Sequence, residues 1–209
     1  MINTHCNLDS ICVDIGAYRG GHLRTFLACA THGKIYAFEP NPYNSNLLKK
    51  ESPSVIVENV ALANCETTQD FCVYHNWPAR SGLAEYQGSG LPEEEPYHTI
   101  QVRVSTLDSF FPNGSRLDFV KLDAEGAELE ILRGGRRILT ESKPIIIVEH
   151  KPASMGSSFK ASTELFDLLH NDIGHNIFSL NNPSTPINTI EGLMELTRQG
   201  VENFLTIPR

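Results

Sequence analysis

ICVDIGAYRG, residues 11–20, reads as a buried strand that breaks into a glycine-bearing turn. Residues 11–15 carry the apolar run of a central strand, and that strand delivers an acid, Asp14, near its tip. Gly16 and Gly20 follow, and the chain then enters a helical pattern over 20–31. Glycines in such a turn let backbone amides approach a ligand where a Cβ would collide. Residues 35–38 form a second strand ending at Glu39, Pro42 sits where a helix through NSNLLKKE can start, and 54–62 reads as a third strand. This βαβαβ opening predicts an α/β fold with a doubly wound, mostly parallel sheet, whose ligands bind beyond the carboxyl ends of the strands.

The acids at those ends narrow the ligand. The glycine spacing is G-x-x-x-G, which lacks the G-x-G-x-x-G of a dinucleotide fold. Glu39 ends the second strand and suits the two cis-hydroxyls of a ribose. Asp14 would repel a pyrophosphate, yet it can receive an ammonium group. A ligand with a ribose, an ammonium group and no phosphate has the features of S-adenosylmethionine.

Beyond residue 62 the alternation changes. DFCVYH (70–75) and TIQVRV (99–104) predict an antiparallel, β-rich insertion over about 70–105, with a long loop at 76–97. Loops of that length are often functional. LDFVKLD (117–123) and PIIIVEH (144–150) resume the parallel sheet, separated by a helix from about 126 that Gly134 and Gly135 interrupt. A helix spans 160–171, and NIFSL and ENFLTI close the sheet as an antiparallel pair. Lys121, inside an apolar strand, calls for a buried acid such as Glu149 or for an edge position.

Composition sets the outer bounds. The chain of 209 residues fits one domain, 1–209, and carries 17 basic against 25 acidic side chains, a net charge of −8. With no basic cluster, neither nucleic acid nor an anionic membrane is expected as a partner. The start, MINTHCNLDS, has no leader pattern, and no apolar run approaches the roughly 20 residues of a membrane span, so a cytoplasmic location is expected. The five cysteines suggest neither a disulfide framework nor a zinc knuckle, and Cys12, Cys29 and Cys72 read as small buried apolar groups. The EEE tract at 93–95 reads as exposed loop.

The segments VDIGAYRG, YAFEPNP, NVAL, STLDSFF, FVKLDAEGAELEILRGG, IIIVEH and NFLTIP, in this order, resemble the FkbM family of S-adenosylmethionine-dependent methyltransferases. The resemblance runs from about residue 11 to 208. It implies a class I methyltransferase (Rossmann-like) sheet of seven strands with an antiparallel last strand, and methyl transfer most often to oxygen. Carried over position by position, it implies that Asp14, Gly16, Ala17 and Gly20 hold the methionine part and Glu39 the ribose. Pro40 and Asn41 would flank the adenosine, Val60 and Ala61 would line the adenine, and Asp123 would sit near the methyl group. Only ten residues precede the first strand. A cover over the site must then come from the 76–97 loop, from 151–160, or from a second copy of the chain in a homodimer.

Alcohol or phenol acceptors need a base or a metal to take their proton. Asp123, Glu149 and His150 end two strands expected to be adjacent. His150, with an ordinary pKa of roughly 6.5, is the first choice of base, a surface histidine being the alternative. Asp123 and Glu149 could instead hold Mg²⁺. Glu125 and Glu128 suit the first turn of the next helix, and Glu125 can also face the acceptor. Trp77, Arg80, Ser81 and Tyr86 suit a polar acceptor, while Trp77 suits a core plug equally. The expected reaction is O-methylation of a hydroxyl on a small-molecule acceptor: a sugar, polyketide or other secondary metabolite. Carboxyl or N-methylation, a non-catalytic cofactor-binding partner subunit, and a nicotinamide-dependent oxidoreductase are the alternatives.

Overall fold

The computed structural model describes residues 2–86, 91, 94–151 and 158–209. Its larger sheet contains β1 (Ile11–Ile15), β2 (Lys34–Phe38), β3 (Ile56–Glu58), β8 (Phe119–Leu122), β9 (Ile145–Glu149), β10 (His175–Ser179), β11 (Asn182–Ile187) and β12 (Asn203–Pro208). The spatial order is β11-β10-β12-β9-β8-β1-β2-β3. The five strands from β9 to β3 in that order run parallel, β12 runs antiparallel to β9, and β10 and β11 each reverse again. The sheet therefore has eight strands where seven were expected. The extra one, β11, contains Pro183 and Pro186, which read as loop in sequence. At the sheet's edge a proline gives up no ladder bond the strand needs.

Alternation along the strands sends side chains to two cores. Val13, Ile15, Val120, Leu122, Ile146 and Val148 pack on one face, under α5 (Glu128–Gly134), α6 (Arg136–Ser142), α7 (Ser158–Asp167) and α8 (Ile190–Arg198). Cys12, Ala37, Phe119, Ile147 and Leu205 pack on the other, against α2 (Leu23–Cys29) and α3 (Pro42–Glu51). Helix α3 starts as expected: Asn41 Oδ1 accepts the Tyr43 amide at the cap and Pro42 occupies the first turn. Gly134 and Gly135 do separate α5 from α6. Helix α2 starts three residues later than the expected 20, after the turn that carries Gly16 to Gly20.

The expected third strand, 54–62, is two strands in two sheets. β3 stays in the large sheet, the chain turns at Asn59 and Val60, and β4 (Ala61–Leu62) joins a smaller sheet of order β4-β7-β5-β6. There β5 (Thr67–Tyr74) and β7 (Tyr97–Ser105) pair antiparallel from Thr67↔Val104 to Tyr74↔Tyr97, and β6 (Gly82–Leu83) flanks β5. Its core is Ala61, Ala63, Phe71, Leu83, Val102 and Val104. The side-chain amide of Asn59 donates to the carbonyls of Glu39 (2.9 Å) and Pro40 (2.8 Å), tying the seam between the sheets to the end of β2. Among the described residues, no helix is long and apolar enough to cross a membrane.

Candidate functional site

The chain leaves β1 toward β2 and β3 on one side and returns to β8 on the other, so β1 and β8 form the switch point at which doubly wound sheets bind ligands. Gly16 sits there with φ +76°, and a Cβ on it would lie 1.8 Å from the Asp123 carbonyl oxygen. Only glycine fits. Tyr18 also adopts a left-handed backbone, φ +48°. Its amide donates to Glu39 Oε2 at 2.8 Å, and the Asn41 amide donates to Oε1 at 2.9 Å. Two backbone donors thus fix the Glu39 carboxylate at the tip of β2.

A cavity opens above these groups. Its floor includes Gly16, Tyr18, Glu39, Pro40 and Asp123, Val60 and Ala61 from the seam form a wall, and Pro78, Ala79 and Ser81 close over it. The first part of the 76–97 loop therefore supplies a cover. Residues 87–90 and 92–93 of that loop, and 152–157 of the 151–160 segment, lie outside the described residues. Trp77 is 53% exposed and plugs no core.

Asp14, Ala17, Gly20 and Asn41 do not line the cavity. Ala17 and Gly20 shape the turn, with the Gly20 amide donating to the Ala17 carbonyl at 2.7 Å, and Asn41 is spent on capping α3. Asp14 lies beneath the floor, 1% exposed, and its Oδ2 finds no hydrogen-bond partner among the described residues. Burial pushes its carboxyl up to about 7, against the pull of Lys121. Burial likewise raises Glu39 to about 7, its amide donors opposing.

Asp14, Lys121, Asp123 and Glu149 share one face at the ends of three adjacent strands. Lys121 pairs in register with Asp14 across β1 and β8. Its ammonium sits 3.0 Å from Asp123 Oδ2, so its acid partner is Asp123 and not Glu149. Glu149 takes Lys151 at 2.6 Å instead. Burial works to raise the Asp123 carboxyl, but the Lys121 ammonium and hydrogen bonds from Lys121 and Glu149 hold it below its ordinary value. Burial and the Asp123 charge raise Glu149. The two carboxyls therefore act as a pair in which Asp123 keeps the charge and Glu149 the proton.

His150 points the other way. It shares its parity with Ile146 and Val148, so it turns into the core beneath α7, fully buried, with Nε2 2.9 Å from Ser162 Oγ. Burial lowers its pKa to about 4. The expectation of His150 as base is corrected on this ground: it reaches no cavity atom, and burial opposes its charging.

Glu128 opens α5 and turns back to accept the Ala124 amide at 2.8 Å and the Gly126 amide at 3.1 Å. That pins the turn holding Glu125, whose φ is +52°. Glu125 lines the cavity and pairs with Arg80 of the insertion (3.0 Å) and with Lys151 (3.7 Å). Carboxylate oxygens of Asp123, Glu128 and Glu149 lie within 4.8 Å of one another. Each is already engaged, by Lys121, by backbone amides and by Lys151, so the donor set does not fit Mg²⁺ unless two ammonium groups leave. Tyr18, Asn44 and Leu83 also line the cavity. Nothing in the sequence marks Asn44 or Leu83, whereas Tyr18 lies inside the glycine turn and was legible as a backbone position.

Comparison with known proteins gives a consistent set. Residues 14–174 match the model of the methyltransferase FkbM domain. The chain is 28% identical over 145 residues to Methyltransferase 1 of Beauveria bassiana, covering 60% of this chain and 58% of that protein. It is 25% identical over 182 residues to the hexuronic acid methyltransferase AglP of Haloferax volcanii, covering 77% of this chain and 66% of that protein. The chain thus spans 58% and 66% of the lengths of these two curated relatives. A crystal structure of methyltransferase FkbM from Methylobacillus flagellatus KT shares the fold, with a TM-score of 0.57 at 17% identity over 96% of this chain and 44% of that one.

Proposed function

The chain belongs to the methyltransferase FkbM domain family, and from that premise we propose that it moves a methyl group from S-adenosylmethionine to a hydroxyl of a small-molecule acceptor. The observation that carries this reading is the acid at the cavity wall, Glu39, which has no lysine or arginine ion-paired with it among the described residues, whereas Asp123 and Glu125 are paired with Lys121 and with Arg80 and Lys151. Such a wall favours a cationic ligand and repels a pyrophosphate, which argues against a nicotinamide dinucleotide. The residues present fit S-adenosylmethionine. The Glu39 carboxylate, held by two amides, keeps free lone pairs for a ribose diol, Val60 and Ala61 offer an apolar wall for adenine, and Gly16 leaves the backbone bare.

The chemistry supplied by S-adenosylmethionine when bound is an electrophilic methyl group on a positively charged sulfur, displaced in line. What the chain adds is position and a proton acceptor. Asp123 lines the cavity, and Lys121 and Glu149 hold its carboxylate in the charged form. It accepts that hydroxyl's hydrogen bond and takes its proton as the new oxygen–carbon bond forms. Pro78, Ala79 and Ser81 exclude water above. The acceptor class proposed is a sugar, polyketide or other secondary metabolite, and the hexuronic acid named for the archaeal relative supports the sugar.

Calorimetric titration with S-adenosylhomocysteine, followed by transfer of labelled methyl groups to a pool of sugars and phenols, tests the reading. Micromolar binding and a base-stable methyl ether, lost about 10²- to 10⁴-fold in Asp123→Asn with binding retained, are the expected results. A base-labile ester would move the reaction to carboxylates. Binding without turnover on any acceptor would make the chain a cofactor-binding partner subunit, and tight NADH binding would overturn the assignment.

A further inference from the structure

Away from the cavity, at the opposite end of β1, two of the five cysteines face each other: Cys6 Sγ lies 3.8 Å from Cys12 Sγ. A tight turn creates this proximity. The Asn7 amide donates to Ser10 Oγ, the Asp9 amide to Asn7 Oδ1, and the Ser10 amide to the Asn7 carbonyl, so the chain doubles back between the two sulfurs. Two other parts of the molecule, the 32–33 loop and Arg116, hold that turn in place. The His32 amide donates to the Leu8 carbonyl, Arg116 donates to the Asp9 carbonyl at 2.7 Å, and Gly33 packs so closely that a Cβ would lie 1.9 Å from the Ser10 carbonyl oxygen.

The two thiols differ in access. Cys12 is fully buried in β1, whereas Cys6 is part-exposed in the segment after a four-residue helix, α1 (Ile2–His5). Among the described residues, no third histidine, cysteine or acid closes on them as a metal site requires.

We propose that Cys6 and Cys12 are a thiol–disulfide site, oxidised to an intrachain bridge by low-molecular-weight disulfides of the glutathione type. Cys6 is the attacking group, since only its sulfur can be reached. Its thiolate attacks one sulfur of the reagent, forming a mixed disulfide and expelling one reagent thiolate. Cys12, 3.8 Å behind, then attacks the Cys6 sulfur and expels the second. Both cysteine protons leave to the expelled thiolates, and the reagent disulfide is reduced to two thiols. The hydrogen bond from Cys12 lowers the Cys6 thiol below its ordinary value, favouring the reactive form. Closing the bridge to the usual ~2.05 Å moves the part-exposed Cys6 side, because the β1 side is locked in the sheet.

The experiment is exposure of the intact reduced protein to glutathione disulfide, with free-thiol titration and peptide mapping. Peptide mapping should find one intrachain linkage, Cys6–Cys12, beside any glutathione taken up by the exposed Cys65. Cys6→Ser should form no intrachain linkage, and Cys12→Ser, the variant more exposed to a folding defect, should trap glutathione on Cys6. Cys6 and Cys12 both free after exposure, glutathione held on wild-type Cys6 without bridging, or an intrachain linkage using Cys29, Cys65 or Cys72 would overturn the proposal.

Discussion

Replacing Glu39 by Gln separates a residue that holds a ligand from one that only holds the fold. The carboxylate is 4% exposed and accepts the Tyr18 and Asn41 amides at 2.8 and 2.9 Å. Glutamine keeps one acceptor and turns its NH₂ toward the other amide, losing a hydrogen bond to a charged group, about 1.5–3 kcal/mol. Against this, burial has raised the Glu39 carboxyl to about 7, and a neutral side chain escapes that penalty, about 3 kcal/mol near neutral pH at ~1.4 kcal/mol per pH unit. Because the raised value is already net of the two amide bonds, urea denaturation near neutral pH should show no loss of stability and a gain of up to about 3 kcal/mol. Binding has no such compensation. A ribose diol that loses one charged acceptor should weaken S-adenosylhomocysteine affinity roughly 10- to 150-fold, read by calorimetry. Unchanged affinity would remove Glu39 from the ligand site, and a stability loss as large as the binding loss would make its role structural.

His150→Leu should lower stability by about 1–2 kcal/mol, because the buried His150–Ser162 hydrogen bond is lost, and leave turnover within about threefold of wild type. A hundredfold loss of methyl transfer with intact folding would return His150 to the chemistry. The pH dependence of stability follows from opposed groups. Asp14, Glu39 and Glu128 are each raised to about 7 by burial, so the stability of their protonated forms is present at low pH and lost as pH rises toward about 7. His150 and His175, lowered to about 4 by burial, contribute above the ordinary histidine range and lose that stability as pH falls through it. With Glu149, raised to about 8, four carboxyls oppose two histidines and leave a net decline in the unliganded protein from about pH 5 to about pH 8, checked by urea titrations across that interval. A rise in stability over the same interval would contradict it.

The sequence was informative where local chemistry dictates one conformation and silent where tertiary partners decide. Gly16 was legible because a glycine after a strand-tip acid has few other uses, and Glu39 because an acid closing a β2 strand has a geometric task. SVIVENVAL carries apolar groups on both sides of Asn59, and nothing in that run shows that its two halves enter different sheets. PIIIVEH is buried on both faces, so its composition could not tell that Glu149 turns to the charged row and His150 to the core under α7. The choice of Asp123 as the partner of Lys121 depends on an i, i+2 contact along one face, which competes on equal terms with a neighbour across the sheet. Cys29, expected as a buried apolar group, is part-exposed and donates to Asn3 Oδ1 at 3.0 Å, a contact set by how α1 docks.

Asn59 stitches the seam between the two sheets to the carbonyls of Glu39 and Pro40, and the smaller sheet that starts beyond it also carries the roof of the cavity. The roof-bearing sheet and the proposed ribose site therefore share a fastening at Asn59. By thermodynamic reciprocity, an acceptor that draws the roof down tightens the hold on the nucleoside by the factor with which the nucleoside improves acceptor binding. Under the proposed function, release of the methylated product would then loosen the hold on the demethylated cofactor.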